Sequence, residues 1–230
     1  LCSYDALAKT RNCLESLRRC ADPAHPTEIV FVDNGSTDGS AEWLAAQPDV
    51  RLVRNVANGG APRARNQGIA LARGDYVAFL DNDVVVTPGW LGRLLYHLEV
   101  DPLAGVVGAC ADRASHEQQV EYAGPTDPDA LARFAEALAR ENARRALVRL
   151  TLASFCVVAK RETLARIGGF DERFSPWGFE DDDFTLRAFL AGLHSRVALD
   201  VFVHHDTYAG PKAVRHQRLL LRNWRRFARK

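Results

Sequence analysis

The sequence predicts an α/β domain built on a mostly parallel sheet with helices on both faces. Three observations lead there. Short apolar, β-prone runs alternate with amphipathic helical stretches along the first hundred residues. These strands read as continuously apolar rather than alternating, as buried parallel strands do. Each also ends at a polar cluster, the usual way open α/β sheets present a site beyond their strand ends.

The elements follow in order. Leu1-Cys2-Ser3-Tyr4-Asp5 reads as the end of a strand. Leu14 and Leu17, with Cys13 and Cys20, mark one face of a helix over 10–20. Glu28 to Val32 is a strand ending at Asp33. The turn Asn34-Gly35-Ser36-Thr37-Asp38-Gly39 follows, then a helix over 40–46. Val50 to Val53 is a strand closed by Arg54-Asn55. Asn58-Gly59-Gly60 then leads into a helix over 62–71. Tyr76 to Leu80 is a strand running directly into Asp81-Asn82-Asp83, and 88–100 is a helix with Pro88 in its first turn. The second half is less regular. Strands are expected over 105–110, 150–159 and 196–203, and helices over 129–147, 161–167 and 184–191. The last strand ends in His204-His205.

At 230 residues the chain can bury a full core as one domain. Five cysteines, odd in number and without metal-type spacing, read as reduced thiols of a cytoplasmic protein. No apolar run reaches the ~20 residues that span a bilayer, and no signal-peptide pattern is present. Methionine is absent even at position 1, so a piece of a longer polypeptide, with other domains as partners, is expected. The net charge of +1 hides an asymmetry. Residues 211–230 carry eight Lys/Arg and no acid, leaving 22 basic against 29 acidic residues before them. Such a body is a poor nucleic-acid binder. The tail, with Val214, Leu221, Trp224 and Ala228 at helical spacing, suits either a peripheral contact with the inner face of an anionic membrane or a helix packed on its own acidic body.

Four groups of residues carry chemistry. Asp81 and Asp83 would repel each other if close, which points to a cation such as Mg²⁺ or Mn²⁺; a turn is the alternative. The three strand-end clusters, together with glycine turns and Arg65 in the opening turns of a helix, suit a nucleotide. The absent G-x-G-x-x-G counts against nicotinamide or flavin. Asp33 could accept from the imide N–H of uracil, thymine or guanine, or could stabilise its turn. Glu180 to Asp183 places four acids at a helix start beside Trp177. One or two are explained by the helix dipole, and four suggest a cation or a stacked sugar as well. Of His204 and His205, strand alternation aims only one into a site.

Taken together these residues resemble inverting glycosyltransferases of family 2, which have the GT-A fold. The pieces stand in family order: Tyr4-Asp5; Val32-Asp33-Asn34-Gly35-Ser36-Thr37-Asp38-Gly39; Asn58-Gly59-Gly60 through Ala64-Arg65-Asn66-Gln67-Gly68; Asp81-Asn82-Asp83; Gly168-Gly169-Phe170-Asp171-Glu172; and Glu180-Asp181. Trp177 to Asp183 is also similar to the W-G-x-E-D-D-D acceptor segment of β-1,4-galactosyltransferases. The resemblance implies a transferase domain over 1–209, with a nucleotide-sugar half over 1–100, an acceptor half over 101–209 and a basic helix or linker over 210–230. It implies donor contacts from Ser3, Tyr4, Asp33, Asn34, Ser36, Asn58, Gly59, Arg65, Asp81 and Asn82, with UDP or dTDP favoured. Mn²⁺ or Mg²⁺ would be held by Asp83, Asp81 and His204 or His205. Asp181, with Glu180 as fallback, would be the general base, and Trp177, Gly178 and Asp182 would meet a carbohydrate or lipid-linked acceptor. The sequence departs from the family pattern in its short first strand, in Pro62, and in Asp182 where a hydrophobic residue is usual. A retaining GT-A enzyme and a non-catalytic sugar-binding domain of a larger synthase are the alternatives.

Overall fold

The computed structural model describes residues 1–207 and 213–230, without the side chains of His116 and 213–216. The 1–209 and 210–230 divisions therefore meet outside the described residues, as do Lys212 and the side chain of Val214.

The first half is a parallel β/α alternation. Strand β1 (Cys2–Ser3) lies beside β2 (Ile29–Asp33), and β2 beside β3 (Val50–Arg54), all parallel. Helices α1 (Leu7–Arg19), α2 (Ser40–Ala45) and α3 (Ala61–Leu71) connect them. Pro62 falls at the start of α3, where the missing N–H costs no intrahelical bond.

The second half is a mixed sheet. Its main path runs β4 (Tyr76–Leu80), β8 (Cys156–Lys160), β6 (Ala104–Ala111), β9 (His194–His205), β5 (Val84–Val86), and β7 (Ala146–Arg149) also pairs with β9. Among the described strands, β6 and β9 are the parallel pair there. The α/β class holds, with parallel pairing concentrated in the first half. A parallel bridge between Cys2 and Asp81 joins the two sheets, so the end of β4 sits at their seam.

Period-2 alternation sorts the core into two layers. Leu80, Cys156 and Val158 face one cluster with Leu94 and Leu98 of α4 (Trp90–Glu99). Val77, Phe79, Val157 and Ala159 face the other, with Leu164 of α6 (Arg161–Ile167) and Phe184 and Ala188 of α7 (Glu180–Leu190). Strand β6 is buried along its whole length. Helix α5 (Pro128–Glu141) packs Leu131 and Ala135 against Phe202 of β9.

The three largest differences from the sequence expectation lie at the end of α5, before β8 and at β5. The helix expected over 129–147 ends at Glu141; Arg144 takes φ 59° and the chain turns into β7. The strand expected from residue 150 begins at Cys156. Val84–Val86 forms β5, a short strand that follows the Asp81–Asp83 turn so closely that the acids dominate the reading. The basic tail forms α8 (Ala213–Phe227), which is docked on the body.

Candidate active site

Asp81, Asp83 and His205 offer one ligand atom each, all within 4.8 Å of one another, the one such group of three or more metal-ligating side chains among the described residues. Strand β4 delivers the two acids, and the antiparallel pairing of β5 with β9 sets Val84 opposite His205. That register brings the end of β9 to the acids. His205 Nε2 is 3.3 Å from Asp83 Oδ1. Its Nδ1 lies 2.8 Å from the carbonyl of Arg113, which can only accept, so Nδ1 carries a proton. In neutral His205, Nε2 then presents its lone pair toward the acids. Burial opposes the imidazolium, but Asp83 and Asp81 outweigh it and raise the His205 pKa. The ring stacks on Phe155 at 4.9 Å. Two carboxylates and one imidazole suit a divalent cation of the Mg²⁺ or Mn²⁺ type.

His204 belongs elsewhere. It points to the opposite face of β9, where its Nδ1 is 2.7 Å from Asp112 Oδ2. Asp112 Oδ1 accepts from the His205 backbone N–H, so one carboxylate fixes both residues. The set of candidate ligands narrows accordingly: alternation along β9 brings His205 to the acids, and His204, bonded to Asp112, is not among the grouped ligand atoms.

Arg65 links the strand-end acids to the acidic helix. It is 8% exposed; its Nη2 donates to Asp81 Oδ1 at 2.8 Å and its Nη1 to Glu180 Oε1 at 3.4 Å. The guanidinium also lies over the Phe170 ring. Asn66, the next residue, exchanges two 2.8 Å hydrogen bonds with the Phe170 backbone, fastening the Gly168–Glu172 turn to α3. Gly169 packs against that amide so closely that a Cβ would stand 2.3 Å from Asn66 Oδ1.

The four acids of α7 divide. Glu180 is buried, with Oε2 unpartnered, and burial raises its pKa to about 7 against the pull of Arg65. Asp181 is part-exposed. Its Oδ1 accepts from Asp182 N at 3.0 Å and its Oδ2 from Ser154 N at 3.4 Å, and burial raises its pKa too. Asp182 is also part-exposed on the same first turn. Asp183 turns inward to Arg187 and Lys230 and is structural.

The residues expected to meet a donor are mostly held by hydrogen bonds of their own. Asp33 is 1% exposed. Its Oδ2 accepts from the N–H groups of Gly35 and Ser36, and its Oδ1 lies 3.4 Å from the Ser3 hydroxyl. Here it stabilises its turn. Ser36 Oγ accepts from Asp5 N, and Asn34 donates to the Gly60 carbonyl. Asn58 Oδ1 accepts from Gly60 N, the Gly59 carbonyl from Ser175 Oγ, and Asn82 donates to Thr10 Oγ1. Tyr4 is exposed.

The loop before α7 carries Trp177, 37% exposed, and Gly178 at φ 96°. Helix α8 holds it. Asn223, fully buried, donates to the carbonyls of Phe174, Trp177 and Gly178. Asn223 is one residue that sequence reading missed, since nothing in a basic tail marks a single amide as an anchor. Lys9 is another. It pairs with Asp206 and lies 3.9 Å from Asp83, and only the fold brings α1 to that spot.

Comparison with solved structures defines the fold class. The chain matches the mannosyltransferase PcManGT of Pyrobaculum calidifontis, solved with GDP-Man and Mn²⁺, with TM-score 0.70 and 22% identity over 100% of this chain and 63% of that one. It matches GalNAc-T7, solved with UDP, GalNAc and Mn²⁺, with TM-score 0.69 and 16% identity over 89% and 42%. These are GT-A folds, and so is this one. Residues 1–167 match the model of glycosyl transferase family 2, and the chain belongs to that family. Residues 141–208 also match a model described as the N-terminal domain of galactosyltransferase. A pre-mycofactocin glycosyltransferase of Mycobacterium tuberculosis is 30% identical over 85% of this chain and 41% of its own length. The hyaluronan synthase of Pasteurella multocida is 24% identical over 81% and 22%. The chain thus spans less than half of these relatives.

Proposed function

We propose that the domain transfers a sugar from a nucleoside-diphosphate sugar to an acceptor hydroxyl with inversion, in the making of a polysaccharide or glycoconjugate. The observation that carries this reading is the convergence of two differently equipped walls. Asp81, Asp83 and His205 form a cation-binding group on one side, and Glu180-Asp181 stand at the start of α7 on the other, with Arg65 bonded to both.

Asp81, Asp83 and His205 would hold Mn²⁺ or Mg²⁺, which when bound neutralises charge developing on the leaving diphosphate. Asp181 is the base. It is part-exposed and accepts from backbone N–H groups rather than from a side chain, and its raised pKa makes it a better proton acceptor than an ordinary carboxylate. It takes the acceptor hydroxyl proton as that oxygen attacks the anomeric carbon on the face opposite the diphosphate. The bond to the phosphate oxygen breaks in the same displacement. Glu180, buried and tied to Arg65, sets the electrostatics of that helix start. Trp177, Gly178 and Asp182 line the acceptor side, and Ser3, Tyr4, Asn34, Ser36, Asn58, Gly59 and Asn82 the donor side. Asp33 contributes by shaping its turn, and UDP or dTDP is the preferred carrier.

Calorimetric titration with UDP, dTDP and GDP, each with and without Mn²⁺, tests the reading. Binding of UDP or dTDP that strengthens with Mn²⁺ is expected; no metal-dependent binding of any of the three overturns it.

A further inference from the structure

The acidic body and basic tail meet in an unusual way. Helix α8 docks through one narrow face made by Asn223, Phe227 and Leu220: Asn223 binds three loop carbonyls, Phe227 lies 5.8 Å from Phe179, and Leu220 reaches over Gly178. Lys230 alone of the described tail cations is ion-paired to the body, at Asp171 and Asp183. At 100° per residue, Arg218, Leu221, Arg222, Arg225 and Arg229 fall on the opposite face. All five are exposed; Trp224, 49% exposed, falls nearer the docked face, on the side of Leu220. No ion pair joins Arg218, Arg222, Arg225, Arg226 or Arg229 to a carboxylate of the described body. With Arg173 they line a shallow groove of about 650 Å³.

If neutralising the body were the helix's purpose, the arginines would face it. Instead the body is met by Asn223, Phe227 and Leu220, by the Arg222 bond to the Ser175 carbonyl and by Lys230, while Arg218, Arg225 and Arg229 stay exposed on the other face beside Leu221. We infer that this face of α8 is a docking surface for a membrane rich in anionic phospholipid. Arginines meet the lipid phosphates, and Leu221 enters the headgroup layer. Charge complementarity also sets the orientation, because residues before the tail carry 29 acids against 22 bases and are repelled by the same surface. Attachment would leave the Trp177-Gly178 loop one helix diameter, roughly 10 Å, from the bilayer, since Asn223 holds it to the other face of the same helix. That consequence rests on the proposed transferase function; the docking itself does not.

The test is co-sedimentation of the whole chain with vesicles of pure phosphatidylcholine and of phosphatidylcholine mixed with phosphatidylglycerol, over a series of salt concentrations. Binding to the mixed vesicles alone, weakening as salt rises, is expected. Replacing Arg218, Arg225 and Arg229 together with Ser should lower partitioning on the order of 10²-fold, at about one kcal/mol per basic side chain. These three donate no hydrogen bond to the body among the described contacts, so the melting temperature should hold. As a second readout, Leu221→Ser should weaken binding to the mixed vesicles several-fold. Equal binding to both vesicle types overturns the inference. So does an R218S/R225S/R229S protein that binds like wild type. Retention on heparin without any vesicle binding would also overturn it, assigning the face to a soluble polyanion.

Discussion

Glu180 offers a sharp test of the electrostatics, because its burial makes a stability prediction that depends on pH. The carboxyl is 5% exposed, with one oxygen 3.4 Å from Arg65 and the other unpartnered. Its pKa rises from 4.5 in the unfolded chain to about 7 in the fold. Between those values the native protein keeps a proton that the unfolded chain releases, so stability falls as pH rises through this window. At 1.36 kcal/mol per pKa unit the loss amounts to about 3 kcal/mol, complete above about pH 8. A glutamine side chain at this position would keep the shape and cannot ionise. The melting temperature of Glu180→Gln minus that of wild type should therefore grow as pH goes from about 4.5 to about 8, by up to about 10 °C at 2–4 °C per kcal/mol for a chain of this size. Differential scanning fluorimetry in metal-free buffers measures it; titrating groups remote from residue 180 cancel in the difference, and the Asp181 carboxyl beside it does not. A difference that stays flat with pH, or one that moves against the variant as pH rises, would refute the assignment of a buried, proton-retaining carboxyl.

Other outcomes separate the roles proposed for the site. Asp181→Asn should cut turnover by about 10²–10⁴-fold while leaving nucleotide and Mn²⁺ affinity within a few-fold, measured by product formation and calorimetry. His205→Ala should weaken Mn²⁺ binding by tenfold or more, whereas His204→Ala should mainly lower stability by about 1–3 kcal/mol, because it strands the buried Asp112 carboxylate. Equal losses of metal affinity in the two would remove His205 from the site. Asn223→Ala deprives three carbonyls of their donor and should release α8 to limited proteolysis at concentrations that spare wild type.

Much of the site was legible because strand ends mark themselves. An apolar run that stops at an acid, as Leu80 does at Asp81, reads directly as a strand delivering a side chain to a sheet edge. The division between the two histidines was half legible: alternation says that one of them faces the acids, while the pairing of β5 with β9 determines which. That pairing depends on Val84–Val86, three residues too few to stand out beside the turn before them. Strand β7 was hidden for another reason. Ala146 and Leu147 continue a helical pattern, and what ends the helix is the backbone turn near Arg144 and the free edge of β9. The Arg65 bridge combines two motifs read separately, 115 residues apart at Glu180. Their encounter is a property of how α3 meets the turn before α7, and local sequence carries no trace of it.

The anchor between α8 and the loop before α7 is made to main-chain oxygens. Asn223 grips the carbonyls of Phe174, Trp177 and Gly178, and Arg222 the carbonyl of Ser175. A carbonyl is present whatever residue bears it. The Asn223 bond at residue 177 goes to its carbonyl and does not depend on which side chain stands there, while Gly178, held at a positive φ under Leu220, cannot be exchanged. The loop thus has variable contents in an invariant frame, which makes Trp177 the natural position to diversify when a different partner molecule is sought.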